Sequence, residues 1–181
     1  MSPLAHAGIG LLGWQGLDRE KTAGSLALFL FAANWPDIDF VLAGIFGSRG
    51  IFRHQLYTHN VFFVLAGCGL LALLLPKGGG RWGLILTGLS HLPLDLIVVD
   101  TVPPIGIRPF WPVSGSLYNI ALFPNLERGP LRVIFSPKNF LVLGLEFLIF
   151  VLPVLIIFRR SLSARFCSPE FRRWRRQGPL A

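Results

Sequence analysis

His91 and Asp95 stand four residues apart within an apolar stretch running from Trp82 to Val99. On a helix that spacing puts an imidazole and a carboxylate on one face, aimed together at whatever the helix packs against. Ionisable groups in so apolar a segment are costly unless paired or ligated, which marks them as functional candidates. The chain has four histidines, His6, His54, His59 and His91, and Asp37, Asp39, Asp95 and Asp100 complete a set able to hold one or more divalent cations. Imidazole nitrogen and carboxylate oxygen together suit Zn²⁺ and similar ions. Asp37 and Asp39 follow Pro36. In an extended stretch both carboxylates fall on one side, whereas in a helix they diverge. His54 and His59 are five apart, about 140° around a helix, so both reach one site only if a helix begins between them, with Asn60 as its cap.

Positioning these side chains falls to five apolar segments: Pro3 to Leu17, Thr22 to Asn34, Val61 to Leu75, Trp82 to Val99 and Asn139 to Phe158. With 52% hydrophobic and only 14% charged residues among 181, the composition departs from soluble globular proteins and points to a membrane. The expected fold is all-α, a polytopic helical membrane protein with about five transmembrane or re-entrant helices. The last segment is long enough to cross, while the first two fall short of the roughly 20 residues a straight span needs. Trp35-Pro36 and the turn Pro76 to Gly80 set boundaries, and Ser136-Pro137 reads as a cap followed by proline in the first turn.

The net charge of +8 raises nucleic acid as a partner, but seven arginines lie between Arg159 and the C-terminus. That is the pattern of a basic juxtamembrane tail, residues 161–181, held on the cytoplasmic side against anionic lipid, after a helical membrane domain over 1–160 that carries the metal site. Nucleic-acid binding is not expected. If all five segments cross, the N-terminus and the links 35–60 and 100–138 face outward, and every histidine falls toward that side. Cys68 and Cys167 are too differently placed for a disulfide framework. No basic stretch precedes the first apolar segment, so Met1 is read as the start of the working protein. The long link 100–138 reads as a lid or an interfacial segment. Arg108 reads as an interface anchor or as a bidentate donor to a phosphate, Cys68 as a small apolar residue, Asp100 as solvated or supporting the site, and Glu146 as a supporting or packing residue.

His6-x-x-x-Gly10, Pro36-Asp37-Ile38-Asp39, His54-x-x-x-Thr58-His59 and His91-x-x-x-Asp95, in this order, resemble the YdjM family, inner-membrane proteins described as metal-dependent hydrolases. The family's metal-binding residues are likened to those of zinc-dependent phospholipases C and single-strand nucleases, which implies phosphoester hydrolysis. Ala5 stands where a threonine is common, Gln55 where an arginine is common, and Asn60 where a serine is common. Absence of that arginine removes a candidate phosphate contact. The expectation is therefore a membrane-bound hydrolase of a lipid or lipid-linked phosphoester, using Zn²⁺ or a similar ion. His6, Asp37, Asp39, His54, His59, His91 and Asp95 are the candidate ligands, with Asp39 as the candidate general base. Two other classes use the same residues: a metal or proton transporter, and a scaffold with a structural metal.

Overall fold

The computed structural model describes residues 1–47, 54–78, 80–100, 103, 105–127 and 130–166, with side chains through Arg159. Among these the regular structure is entirely helical, joined by loops with two isolated β-bridges. The basic tail beyond Phe166, Cys167 included, lies outside the described residues.

Helix α1 (Pro3–Leu17) starts where the Ser2 side chain accepts the Leu4 N–H and Pro3 supplies a preset φ. Helix α2 (Ala23–Ala33) opens with a reciprocal cap between Thr22 and Ser25. Pro36 then interrupts the chain with a tight turn, Trp35–Asp37, before α3 (Ile38–Phe46) leaves at 67° to α2. Residues 35–60 were expected as a link. Their first half is this apolar helix, and the carboxylates of Asp37 and Asp39 sit at the bend.

Helix α4 (Val61–Ala72) is capped by Asn60, whose Oδ1 accepts the Phe63 N–H at 2.8 Å. It begins after both His54 and His59, not between them. The expected single helix over Trp82 to Val99 is broken into α5 (Arg81–Leu89) and α6 (His91–Leu96). Pro93 is the reason: it has no N–H to offer the Leu89 carbonyl, so α5 cannot run on. The i, i+4 relation of His91 and Asp95 survives within α6.

A short turn of helix, α7 (Leu131–Ile134), leads to α8 (Pro137–Glu146), capped by Ser136 as expected. A wider π-turn, Phe147–Val151, joins α8 to α9 (Leu152–Phe166). Pro153 accounts for the widening, since it cannot donate to the Ile149 carbonyl. From Pro137 to Arg159 this is a continuous helix of 23 residues, apolar enough to cross a membrane. Only 22% of its apolar window is buried by protein, so its remaining surface suits lipid. The bent pair α2 and α3 together is a second candidate span, and α4 is a shorter apolar helix. Five crossings are not established by these lengths.

Phe29, Val64, Cys68, Leu84 and Leu92 form the core where α2, α4, α5 and α6 meet. Helix α1 lies against α2, α5 and the π-turn. It approaches closely because it is rich in glycine: a Cβ on Gly8 would stand 2.5 Å from the Phe150 carbonyl oxygen. At one end of the bundle the turn at Gly80 docks on Leu17 and Asp18, and Arg81 donates two hydrogen bonds to the Leu75 carbonyl, at 2.7 and 3.0 Å. The opposite end holds His6, the α2–α3 bend, His59 and α6.

The long link is fastened to that second end. Its backbone donates to the Leu96 and Ile97 carbonyls, and the Pro109 carbonyl accepts the Val61 N–H at 2.9 Å. Tyr57 packs edge-on against Trp111. The link therefore braces the end of α6 and the start of α4. Asp100 accepts the Gly106 N–H at 2.9 Å and belongs to this brace.

Candidate metal centre

Four side chains from three places in the chain converge on one point. Asp37 comes from the α2–α3 bend, His59 from the residues before α4, and His91 and Asp95 from α6. Their ligand atoms all lie within 4.8 Å of one another. His59 Nε2 is 3.1 Å from Asp95 Oδ2, 3.2 Å from His91 Nε2 and 3.4 Å from Asp37 Oδ1. His91 Nε2 is 3.2 Å from Asp95 Oδ2 and 3.7 Å from Asp37 Oδ1. Ligands about 2.0–2.2 Å from a central ion in a tetrahedron are separated by roughly 3.3–3.6 Å, so these edges match a small divalent cation held by two nitrogens and two oxygens.

The other ring nitrogens define the tautomers. His91 Nδ1 lies 2.8 Å from the Ala33 carbonyl, which can only accept, so Nδ1 carries the proton and Nε2 presents its lone pair to the centre. His59 Nδ1 lies 2.9 Å from Thr58 Oγ1, which in turn donates to Asp39 Oδ2 at 2.7 Å. Threonine thus relays the hold of Asp39 onto the His59 ring, the arrangement by which outer carboxylates orient metal-binding imidazoles.

Asp39 does more. It accepts the Gln55 N–H at 3.1 Å and faces His54 Nδ1 at 2.8 Å, with only 1% of its surface exposed. Asp39, His54 and His59 form a second group with metal-capable spacing, sharing His59 with the first. His6 stacks on His91 with ring centroids 3.7 Å apart, and its Nε2 is 3.3 Å from Asp95 Oδ1. His6 Nδ1, although buried, has no hydrogen-bond partner among the described residues. Such an orphaned atom is costly unless something else satisfies it. The Met1 nitrogen stands 2.5 Å from the same Asp95 oxygen.

All seven residues singled out in the sequence therefore lie in one connected cluster, arranged as a central four flanked by His6 on one side and by Asp39 and His54 on the other. Sequence reasoning gave no role to Thr58 or to the Ala33 carbonyl. Thr58 lay within the motif yet its relay depends on a loop conformation, and a backbone carbonyl leaves no signature in residue type.

Electrostatics also favour a cation. Burial penalises a charge on His59, but contacts with Asp37 and Asp95 outweigh it and raise its pKa to about 10. His54 shifts the other way: burial, aided by the charge of His59, lowers it despite the Asp39 hydrogen bond. Without an ion, then, His59 keeps a proton through neutral pH, and a metal must displace it. Apparent metal affinity should rise with pH between 6 and 9, by up to about tenfold per unit for one displaced proton. A fluorescent-chelator competition titration across that range would measure the slope, and a flat profile would mean that binding displaces no proton from His59.

The described residues thus combine an all-helical fold, one helix long and apolar enough to cross a membrane, and a buried His/Asp cluster that could hold a metal ion. The family model described as YdjM inner membrane protein matches residues 1–163, and the chain belongs to that family. No curated protein and no solved structure matches the chain.

Proposed function

We propose that the protein is a metal-dependent hydrolase of the inner membrane, acting on a phosphoester of a lipid or lipid-linked substrate at the outer face, with its C-terminus cytoplasmic and about five segments in the bilayer. The observation that carries the reading is the near-tetrahedral set Asp37, His59, His91 and Asp95, with one ligand partly open: Asp37 is 12% exposed, against 2% or less for the other three. A catalytic site needs a coordination position open to water, and the exposed edge at Asp37 is where one would form, by release of that carboxylate or by a fifth position.

His59, His91, Asp95 and Asp37 Oδ1 would hold the ion, and Zn²⁺ suits their chemistry best. When bound, such an ion acidifies water and draws electron density from a phosphoryl oxygen. Asp37 Oδ2, buried and without a hydrogen-bond partner among the described residues, is the carboxylate oxygen left free to accept a proton from a water entering at this edge. Asp39 is the candidate base of the sequence reading. Its oxygens already face four donors from Gln55, Thr58, His54 and His59, so its work is to orient imidazoles.

A cavity of about 410 Å³ supports a lipid as substrate. Met1, Pro3, Phe40, Leu126, Ile134 and Leu143 contribute its walls, so it opens between the start of α1, α3 and the spanning helix. Met1 reaches Asp95, and Phe40 packs on the His54 ring with centroids 3.8 Å apart, so the cavity adjoins the cluster. Its mainly apolar wall suits hydrocarbon beside a polar head group.

Purified protein in detergent should release a head group or phosphate from a panel of phospholipid and isoprenoid phosphoesters. Chelation should abolish turnover and added Zn²⁺ restore it. Absence of turnover across the panel by protein that retains its ion would remove the enzymatic reading.

A further inference from the structure

Glu146 lies at the end of α8, inside the membrane-length helix, and is 1% exposed. A carboxylate in such a segment is expensive unless its oxygens are satisfied. Both are satisfied by one residue of another helix. Glu146 Oε1 accepts the Ser2 N–H at 3.0 Å, and Oε2 accepts the Ser2 hydroxyl in a short hydrogen bond. Ser2 is also the cap of α1, accepting the Leu4 N–H at 3.2 Å. The residue before it contacts Asp95, and His6, one turn further on, stacks on His91.

The rest of the contact between α1 and the spanning helix is of a different kind. Gly8 lets the helices touch through backbone at Phe150, and Trp14 meets Phe158 further along; these contacts set how closely α1 approaches but carry no side-chain hydrogen bond. A shift of α1 by a single residue, about 1.5 Å, would carry His6 off the face of His91. Directional hydrogen bonds at Ser2 resist that shift. We propose that Glu146 is a positioning residue for the metal centre: by gripping Ser2 it fixes the register of α1, and with it the placement of His6 beside Asp95 and His91. This rests on the reading of the cluster as an ion site.

The test uses full-length protein in detergent, with Zn²⁺ affinity from competition against a chelating dye and thermal unfolding of the ion-free protein measured beside it. Glu146→Leu should weaken Zn²⁺ binding by about tenfold or more, as expected for loss of an outer partner, and Glu146→Gln should restore most of it. Ser2→Ala should weaken binding less, and should add little when combined with Glu146→Leu, because both act through one contact. A purely structural role would lower the unfolding temperature and leave Kd unchanged, which would overturn the proposal. If Glu146→Leu does not fold, wild-type affinity in Ser2→Ala would overturn it equally. Failure of the wild type to bind Zn²⁺ would instead defeat the ion-site reading itself.

Discussion

Asp95→Asn is expected to empty the metal centre, with affinity falling by more than the roughly 10–100-fold that loss of an outer partner costs. Asp95 is the residue on which the cluster's contacts concentrate. Its Oδ2 faces His59 and His91 at 3.1 and 3.2 Å, and its Oδ1 faces His6 at 3.3 Å and the Met1 nitrogen at 2.5 Å. Asparagine keeps the size but removes the charge, and its amide nitrogen is a donor that cannot ligate an ion. The loss therefore combines a missing ligand with a missing negative charge. Ion content of the purified variant, with circular dichroism to show that its helices persist, measures this. Retention of wild-type metal content by Asp95→Asn would place the ion elsewhere.

The second large effect should come from Asp39 and Thr58, neither of which touches the central four except through His59. Asp39→Ala and Thr58→Val each release the His59 ring, so each should cost about 10–100-fold in affinity. Because the hydroxyl transmits the hold of the carboxylate, the double variant should lose little more than Asp39→Ala alone. Additive losses would mean that the two residues act separately, for instance with Asp39 and His54 holding an ion of their own. Glu146 is remote from this arm and should combine additively with it.

The composition and the His/Asp spacing made the helical class and the candidate ligands readable, for reasons tied to particular residues. His91 and Asp95 are close in sequence and share a helix face, so their meeting is a local property. Asn60 and Ser136 cap helices through their own side chains, again locally. His59 meeting Asp37 and His91 is not local: it depends on Pro36 turning the chain by 67° and on Pro93 ending α5, and a proline shows where a helix breaks but not the direction taken afterwards. The helix Ile38–Phe46 is hard to read from sequence because its apolar run is short and begins at the Pro36 break, with Asp39 in its first turn. Glu146 looked isolated because its partner, Ser2, is 144 residues away.

The measurement that bears most directly on all this is the metal content of full-length protein purified without chelators, set beside His59→Ala prepared in parallel. The account predicts roughly one tightly held divalent ion per chain in the wild type and almost none in the variant. Wild-type protein that stays free of ions even after exposure to Zn²⁺, Mn²⁺ and Fe²⁺ at neutral to alkaline pH would contradict it.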